Sequence, residues 1–240
     1  MRSGERLSQT LVMTEIAGAR ALVIGGTGGL GREMVGLLVS EGATVVSSSR
    51  RPLGPEGAAA HIAADVTVAA DRERIIDDAM AVLGGLDVVV IASGVVGFGP
   101  VELVRSEDLS RLIEVDLTGP LALCGLVAPM IDAGGSVAVV TGAIVDSPML
   151  GTGVYAAAKA GLSVGVGVMA REWRRRDVRF IDVRPPHTET GLAERPLFGA
   201  VPRLGEGLTP AQVASRIVAA IAGGETVVEP SAFVAAGGQG

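Results

Sequence analysis

Tyr155 is the only tyrosine in the 240 residues, and Lys159 is the single lysine among 20 Lys and Arg residues. They stand four apart in "GVYAAAKAGL", a stretch that reads as helix. One helical turn puts both side chains on the same face. A phenol beside an ammonium is suited to moving a proton, because the positive charge favours the ionised phenol. A second stretch, "VIGGTGGLGR" (23–32), joins an aliphatic run to an amphipathic one. Gly25, Gly29 and Gly31 allow a tight turn and a close backbone approach. With Thr27, Gly28 and Leu30 they form a loop that delivers a pyrophosphate to a helix N-terminus. This predicts dinucleotide binding. The end of the second aliphatic run indicates which dinucleotide. It reads "SSSRRP", with Ser49, Arg50 and Arg51 and no acidic residue. A hydroxyl and two cations suit a 2′-phosphate, so NADP(H) is expected ahead of NAD(H).

These residues need a frame. Short aliphatic runs alternate with amphipathic segments, the pattern of βαβ units in an α/β parallel sheet. Strands are expected at 21–26, 43–49, 59–65, 86–93, 135–142 and 178–185, with a last one in "ETVVEP". Helices are expected at 29–42, 68–84, 107–131 behind Ser106 as N-cap, 153–175 and 209–224, the last opened by Thr-Pro. Hydrophobic residues make up 48% of the chain and aromatics only 2%. The core is therefore built from Val, Leu, Ile and Ala, which suits strands buried on both faces. No repeat or linker divides the chain. The expectation is one domain over 13–240, a disordered tail over 1–12, and a substrate lid over the Gly- and Pro-rich stretch 185–208. Val96, Phe98, Met149, Leu150, Leu192, Leu197 and Phe198 are expected to line an apolar pocket at the carboxyl ends of the strands.

Gly25-x-x-x-Gly29-x-Gly31, then Asp65, then Tyr155-x-x-x-Lys159 on a late helix resembles the short-chain dehydrogenase/reductase family, from about Ala19 to Pro230. The resemblance implies a Rossmann-type three-layer αβα sandwich with a doubly wound sheet of about seven parallel strands. It also implies a homotetramer or homodimer joined through the long helices 107–131 and 153–175. Tyr155 would be the acid that protonates a carbonyl oxygen, or the base in reverse. Lys159 would lower the Tyr155 pKa and bind the nicotinamide ribose. Asp65 would cap the adenine with Val66 beside it. Thr190 would hold the carboxamide, assisted by the Thr188 backbone.

The chain also departs from that pattern. The family's catalytic Ser falls at Gly142, which has no hydroxyl. Losing one such donor costs about two to three orders of magnitude in rate. Substituting Ser for Gly142 is expected to leave activity intact or raise it. Thr141 is adjacent, but alternation on a strand points it to the other face unless the loop is bulged. Ser147 lies further along and can fold back. The family's Asn-Asn-Ala-Gly reads Ile91-Ala92-Ser93-Gly94, which brings a new hydroxyl to the cofactor. The helix Asn is Asp116, whose carboxylate would pair with Lys159 through water. Pro-Gly has become Pro185-Pro186, which stiffens the lid entry and puts His187 near the nicotinamide, as a substrate contact or as part of the lid's own structure. His61 reads as structural.

The net charge of −6 argues against a nucleic-acid or anionic-membrane surface. No signal peptide or membrane-spanning run is read from the sequence. Cys124 is the only cysteine, which excludes an internal disulfide and fits a reducing, cytoplasmic setting. Two histidines and one cysteine give no dedicated metal site. The leading expectation is an NADP(H)-dependent carbonyl reductase or alcohol dehydrogenase acting on a small-molecule ketone or alcohol. The alternatives are a non-redox lyase, dehydratase or isomerase on the same scaffold, and a cofactor-binding protein without turnover.

Overall fold

The computed structural model describes residues 13–234. Seven strands form one parallel sheet: β1 (Arg20–Ile24), β2 (Thr44–Ser49), β3 (Ala60–Ala63), β4 (Leu86–Ile91), β5 (Ile131–Val140), β6 (Arg179–Val183) and β7 (Val227–Val228). Their spatial order is β3-β2-β1-β4-β5-β6-β7. The order reverses between β1 and β4, and ligands of open α/β sheets bind outside the strand ends at such a switch point.

Both faces of the sheet are buried, and alternation along each strand divides two cores. Leu22, Ile24, Val89 and Ile91 face one side. They pack under α2 (Ala69–Leu83), α4 (Gly119–Val127) and α5 (Gly153–Trp173). Ala21, Val23, Val88 and Val90 face the other, under α1 (Gly29–Ser40) and α6 (Pro210–Gly223). In α5 the stripe Val154, Ala158, Leu162 and Val166 is buried at four-residue spacing. The same geometry places Tyr155 and Lys159 beside that stripe, at its end near the strand tips.

Two expected features differ. The helix expected over 107–131 is segmented into α3 (Ser106–Ile113), a π-helical turn over Glu114–Thr118, α4, and a short 3-10 turn ending at Met130. Gly119 permits this close passage, since a Cβ there would meet the Val66 carbonyl at 2.7 Å and the Glu114 carbonyl at 2.9 Å. Ser106 is the first residue of α3 and not its cap. Strand β5 begins earlier than expected, because Ile131 already pairs with Leu86. At α6 the expectation holds, with Thr209 and Gln212 forming a reciprocal capping box ahead of Pro210. The expected tail at 1–12 lies outside the described residues.

The segments Ser106–Met130 and Gly153–Arg176 are long and apolar enough to cross a membrane by length and composition. Here they are the helices that cover one face of the sheet. Arg179, on β6, is buried and donates to the Ala220 and Ile221 carbonyls near the end of α6, satisfying groups a helix terminus leaves open.

Candidate active site

A cleft of about 670 Å³ lies across the carboxyl ends of the strands at the switch point. The turn between β1 and α1 forms its floor, and each glycine there has a separate steric reason. Gly25 has φ +89°, and a Cβ on it would meet the Ser93 nitrogen at 2.7 Å. A Cβ on Gly29 would meet Thr190 at 2.8 Å, and one on Gly31 would meet the Gly25 carbonyl at 2.1 Å. The start of α1 has no side-chain cap and no acidic residue in its first turn. Its first N–H groups and positive dipole end therefore suit an anion.

Ser49, Arg50 and Arg51 line the far end of the cleft. Ser49 Oγ accepts from Thr27 Oγ1 at 2.9 Å, which ties the glycine turn to the arginine loop. Among the described residues neither Arg50 nor Arg51 is in an ion pair. Asp65 also lines the cleft, but its carboxylate is already held. Oδ1 accepts from Thr67, and Oδ2 accepts from Arg111 Nη2 at 2.9 Å. Burial alone would raise its pKa; the Thr67 and Arg111 contacts outweigh that and lower it. Val66 lies beside it. Val115, on the π-helical turn, joins this wall. Nothing in the helical periodicity singled it out, because the turn breaks that periodicity.

At the other end, Ala92, Ser93, Gly94, Pro185, Thr188 and Thr190 line the cleft. Ser93 Oγ is buried without a hydrogen-bond partner among the described residues. Such an orphan costs about 1–3 kcal/mol unless something fills the site. The glycine cradle, the uncapped helix start and this orphan hydroxyl fit a bound dinucleotide.

Tyr155 and Lys159 face into the same cleft, with the Lys159 ammonium 5.9 Å from the centre of the Tyr155 ring. Lys159 Nζ lies 3.1 Å from Asp116 Oδ1 and donates to the Val140 carbonyl at 3.2 Å. The Asp116 carboxylate is wholly buried and also accepts from the Val95 N–H at 3.2 Å. The π-helical turn carries Asp116 to this position. π-Turns inside α-helices concentrate at functional sites. Gly94 makes the room, since a Cβ there would stand 3.0 Å from Asp116 Oδ1 and 3.5 Å from Lys159 Nζ. The pairing expected through water is thus a direct ion pair. Of the three ammonium donors, one remains for the cleft.

Burial raises the Asp116 pKa, opposed by Lys159 and the Val95 N–H. Burial pushes Lys159 toward neutrality, but its interactions, chiefly the charge of Asp116 and the hydrogen bond to it, outweigh that and keep the ammonium protonated. Tyr155 is raised, chiefly by burial; Lys159 opposes this and Asp116 reinforces it. The phenol is therefore held in its acid form.

Two neighbouring positions bear on the missing hydroxyl, and neither supplies one. Thr141 does not offer its hydroxyl to the site. Strand alternation turns it to the other side, where it donates to Asp182 Oδ1 at 2.5 Å and is within 3.1 Å of the Val183 carbonyl. Gly142 lines the cleft, as placed, but has φ +95° and ψ 157°. That region is essentially restricted to glycine. The space beside it is open, with no atom closer than 3.9 Å to a Cβ. The obstacle to a serine there is backbone strain. Ser147, exposed on the loop after β5, also lines the cleft.

Val96, Phe98, Met149, His187 and Leu192 line the remaining wall, with Ile144 and Leu204, which the sequence reading missed. Leu150 instead points into solvent. Leu197 packs against the small buried cluster of Leu112, Val154 and Ala158. Phe198 lines a separate apolar cavity of about 290 Å³ behind Phe98. The segment 185–208 is stitched down: Leu197 N–H donates to the Val96 carbonyl at 2.7 Å, and Phe98 N–H to the Phe198 carbonyl at 3.0 Å. His187 Nε2 lies 3.3 Å from Glu189 Oε1.

A family model described as short chain dehydrogenase matches residues 19–196. The chain belongs to the short-chain dehydrogenase family. A carbonyl reductase family member 4 of Xenopus tropicalis is 31% identical over 208 residues, covering 82% of this chain and 88% of its own. A D-threitol dehydrogenase of Mycolicibacterium smegmatis is 29% identical over 191 residues, covering 74% and 73%. Among solved structures, a Burkholderia cenocepacia short-chain dehydrogenase in complex with NADP superposes with a TM-score of 0.80 at 22% identity, covering 90% of this chain and 97% of that one. Family membership makes the chain an oxidoreductase of the NAD(P)-dependent short-chain type, and the neighbours share its seven-stranded fold.

Proposed function

We propose that the protein is an NADP(H)-dependent carbonyl reductase, run in reverse as an alcohol dehydrogenase, with Tyr155 as its acid/base. The observation that carries this reading is the placement of Tyr155 and Lys159 in the same cleft as the glycine turn, with two arginines at its far end that form no ion pair among the described residues. The Gly25–Gly31 turn and the N-terminus of α1 would hold the pyrophosphate, and Ser49, Arg50 and Arg51 the 2′-phosphate. When bound, the nicotinamide supplies or accepts a hydride. Tyr155 lends its hydroxyl proton to the substrate oxygen. Its raised pKa supports the acid role, and so the reductive direction. Lys159 holds the ribose with its third N–H and steadies the phenolate left behind. Val96, Phe98, Met149 and Leu192 favour an apolar ketone. Buried Cys124 fits cytoplasmic residence. Exposed Leu121, Val164 and Val168 on α4 and α5 offer an apolar face for a homodimer or homotetramer.

A second reading, proton transfer without redox, draws on Gly142, which brings no hydroxyl to polarise a carbonyl, and on the carboxylate of Asp116. One assay separates the two. A panel of ketones is incubated with NADPH, and alcohol formed is compared with nicotinamide absorbance lost. Equal amounts support the reductase. An isomerised, cleaved or dehydrated product formed without absorbance change supports the second reading, and tight NADPH binding with no product of either kind supports a cofactor-binding protein without turnover.

A further inference from the structure

His61 lies on β3, where the register sets it directly beside Ser47 of β2. Its two ring nitrogens are both engaged. Nε2 lies 2.8 Å from the Arg51 carbonyl oxygen, and Nδ1 lies 2.7 Å from Ser47 Oγ. A carbonyl only accepts, so Nε2 carries the proton and Nδ1 accepts from the Ser47 hydroxyl. This tautomer has a consequence for Ser49. Ser49 Oγ accepts from Thr27 Oγ1 at 2.9 Å and from the Arg51 N–H at 3.1 Å. His61 Nε2 is 3.4 Å away and, being a donor, does not take the Ser49 proton. With those two bonds accepted, the Ser49 proton has no acceptor among the described residues and is available to a ligand oxygen. The imidazole also packs under the loop, since a Cβ on Gly54 would meet its Cγ at 2.7 Å and its Nδ1 at 2.9 Å.

Resting on the NADP(H) reading above, we infer that His61 is a positioning residue for 2′-phosphate recognition. It fastens the Arg51 backbone from below. It thereby fixes Ser49 as a donor and sets Arg50 and Arg51 at the cleft edge. Among the described residues its hydrogen-bond partners are Ser47, Ser49 and Arg51, none of them in the Gly25–Gly31 turn. Its loss therefore weakens ligands that carry a 2′-phosphate and spares those that do not.

The test measures dissociation constants of NADPH, NADH and 2′,5′-ADP for the wild type and for His61→Phe, His61→Gln and Ser47→Ala. Phe keeps the ring without the hydrogen bonds; Gln restores an N–H at similar reach. His61→Phe should weaken NADPH and 2′,5′-ADP by about tenfold, the scale of one hydrogen bond, and leave NADH within about twofold. His61→Gln should recover most of the loss. Ser47→Ala, which retains the imidazole but frees Nδ1, should lose part of it and reports if the Phe variant does not fold. Equal weakening of NADPH and NADH, or unchanged NADPH, overturns the inference while a wild-type preference for NADPH leaves the cofactor reading standing. A wild type that binds NADH as well as NADPH overturns both.

Discussion

Replacing Asp116 by Asn removes one charge from an ion pair that is 3.1 Å long, with side-chain exposures of 0% for Asp116 and 5% for Lys159. At an effective dielectric of about 20 the pair attracts by about 5 kcal/mol, much of it spent on desolvation. Breaking a buried pair by removing one partner costs about 3–5 kcal/mol. The amide keeps an oxygen for the ammonium and for the Val95 N–H, and such a bond to a charged group returns about 1.5–3 kcal/mol. The net loss is about 2 kcal/mol, or about 4–8 °C in Tm for a chain of this size. The chemistry moves the other way. Asp116 raises the Tyr155 pKa, whereas Lys159 lowers it. With the carboxylate gone, the negative charge that raised the Tyr155 pKa is removed, and as long as Lys159 stays protonated on the new amide oxygen and the Val140 carbonyl, the Tyr155 pKa falls. The pH–rate profile of NADP⁺-dependent alcohol oxidation should shift to lower pH, with a severalfold higher rate near neutrality. Thermal unfolding followed by circular dichroism, together with the pH profile, checks both parts. A profile that stays in place or shifts to higher pH, in a variant that unfolds earlier, refutes the electrostatic reasoning.

Gly142→Ser should lose about 1–3 kcal/mol of stability from its backbone conformation and gain no rate, measured by denaturant unfolding and NADPH turnover. Gly31→Ala places a methyl 2.1 Å from the Gly25 carbonyl, so the turn must open; calorimetry should show NADPH binding lost. Asp87, gripped by Arg20 through paired hydrogen bonds of 2.8 and 2.7 Å, has a pKa lowered below 3.8, chiefly by that contact. A lowered carboxylate stabilises the fold above its unfolded pKa, and that contribution fades as pH falls through the folded one. Asp87→Asn should thus cost about 1 kcal/mol or less at neutral pH. Urea titrations should show its gap to the wild type closing as pH drops below about 3.8.

The sheet was legible because its strands are buried on both faces, which leaves aliphatic runs that little else produces. The glycine turn and the Tyr155–Lys159 spacing were legible because each is local: backbone clearance and one helical turn are properties of neighbouring residues. What escaped the sequence depends on contacts between distant segments. The π-turn at Glu114–Thr118 has no compositional mark, so neither Val115 on the cleft wall nor the direct Asp116–Lys159 bond was foreseen. Gly142 was placed by counting from Tyr155, but its positive φ is set by the loop path. Asp65 was matched to a role without Arg111, which reaches it from 46 residues away. His61 read as structural because its partners, Ser47 and the Arg51 carbonyl, meet it only across a strand pair.

In the proposed reaction Tyr155 delivers the proton to the carbonyl oxygen. Tyr155→Phe removes one oxygen and leaves the ring packed. Its NADPH dissociation constant should stay within about twofold of the wild type, since a lost hydroxyl at this end touches no phosphate contact. Its NADPH-dependent ketone reduction should fall by about two to four orders of magnitude, the range for a positioned general acid. Equal rates of NADPH oxidation by wild type and Tyr155→Phe, on a ketone that the wild type reduces, would mean that Tyr155 does not supply the proton.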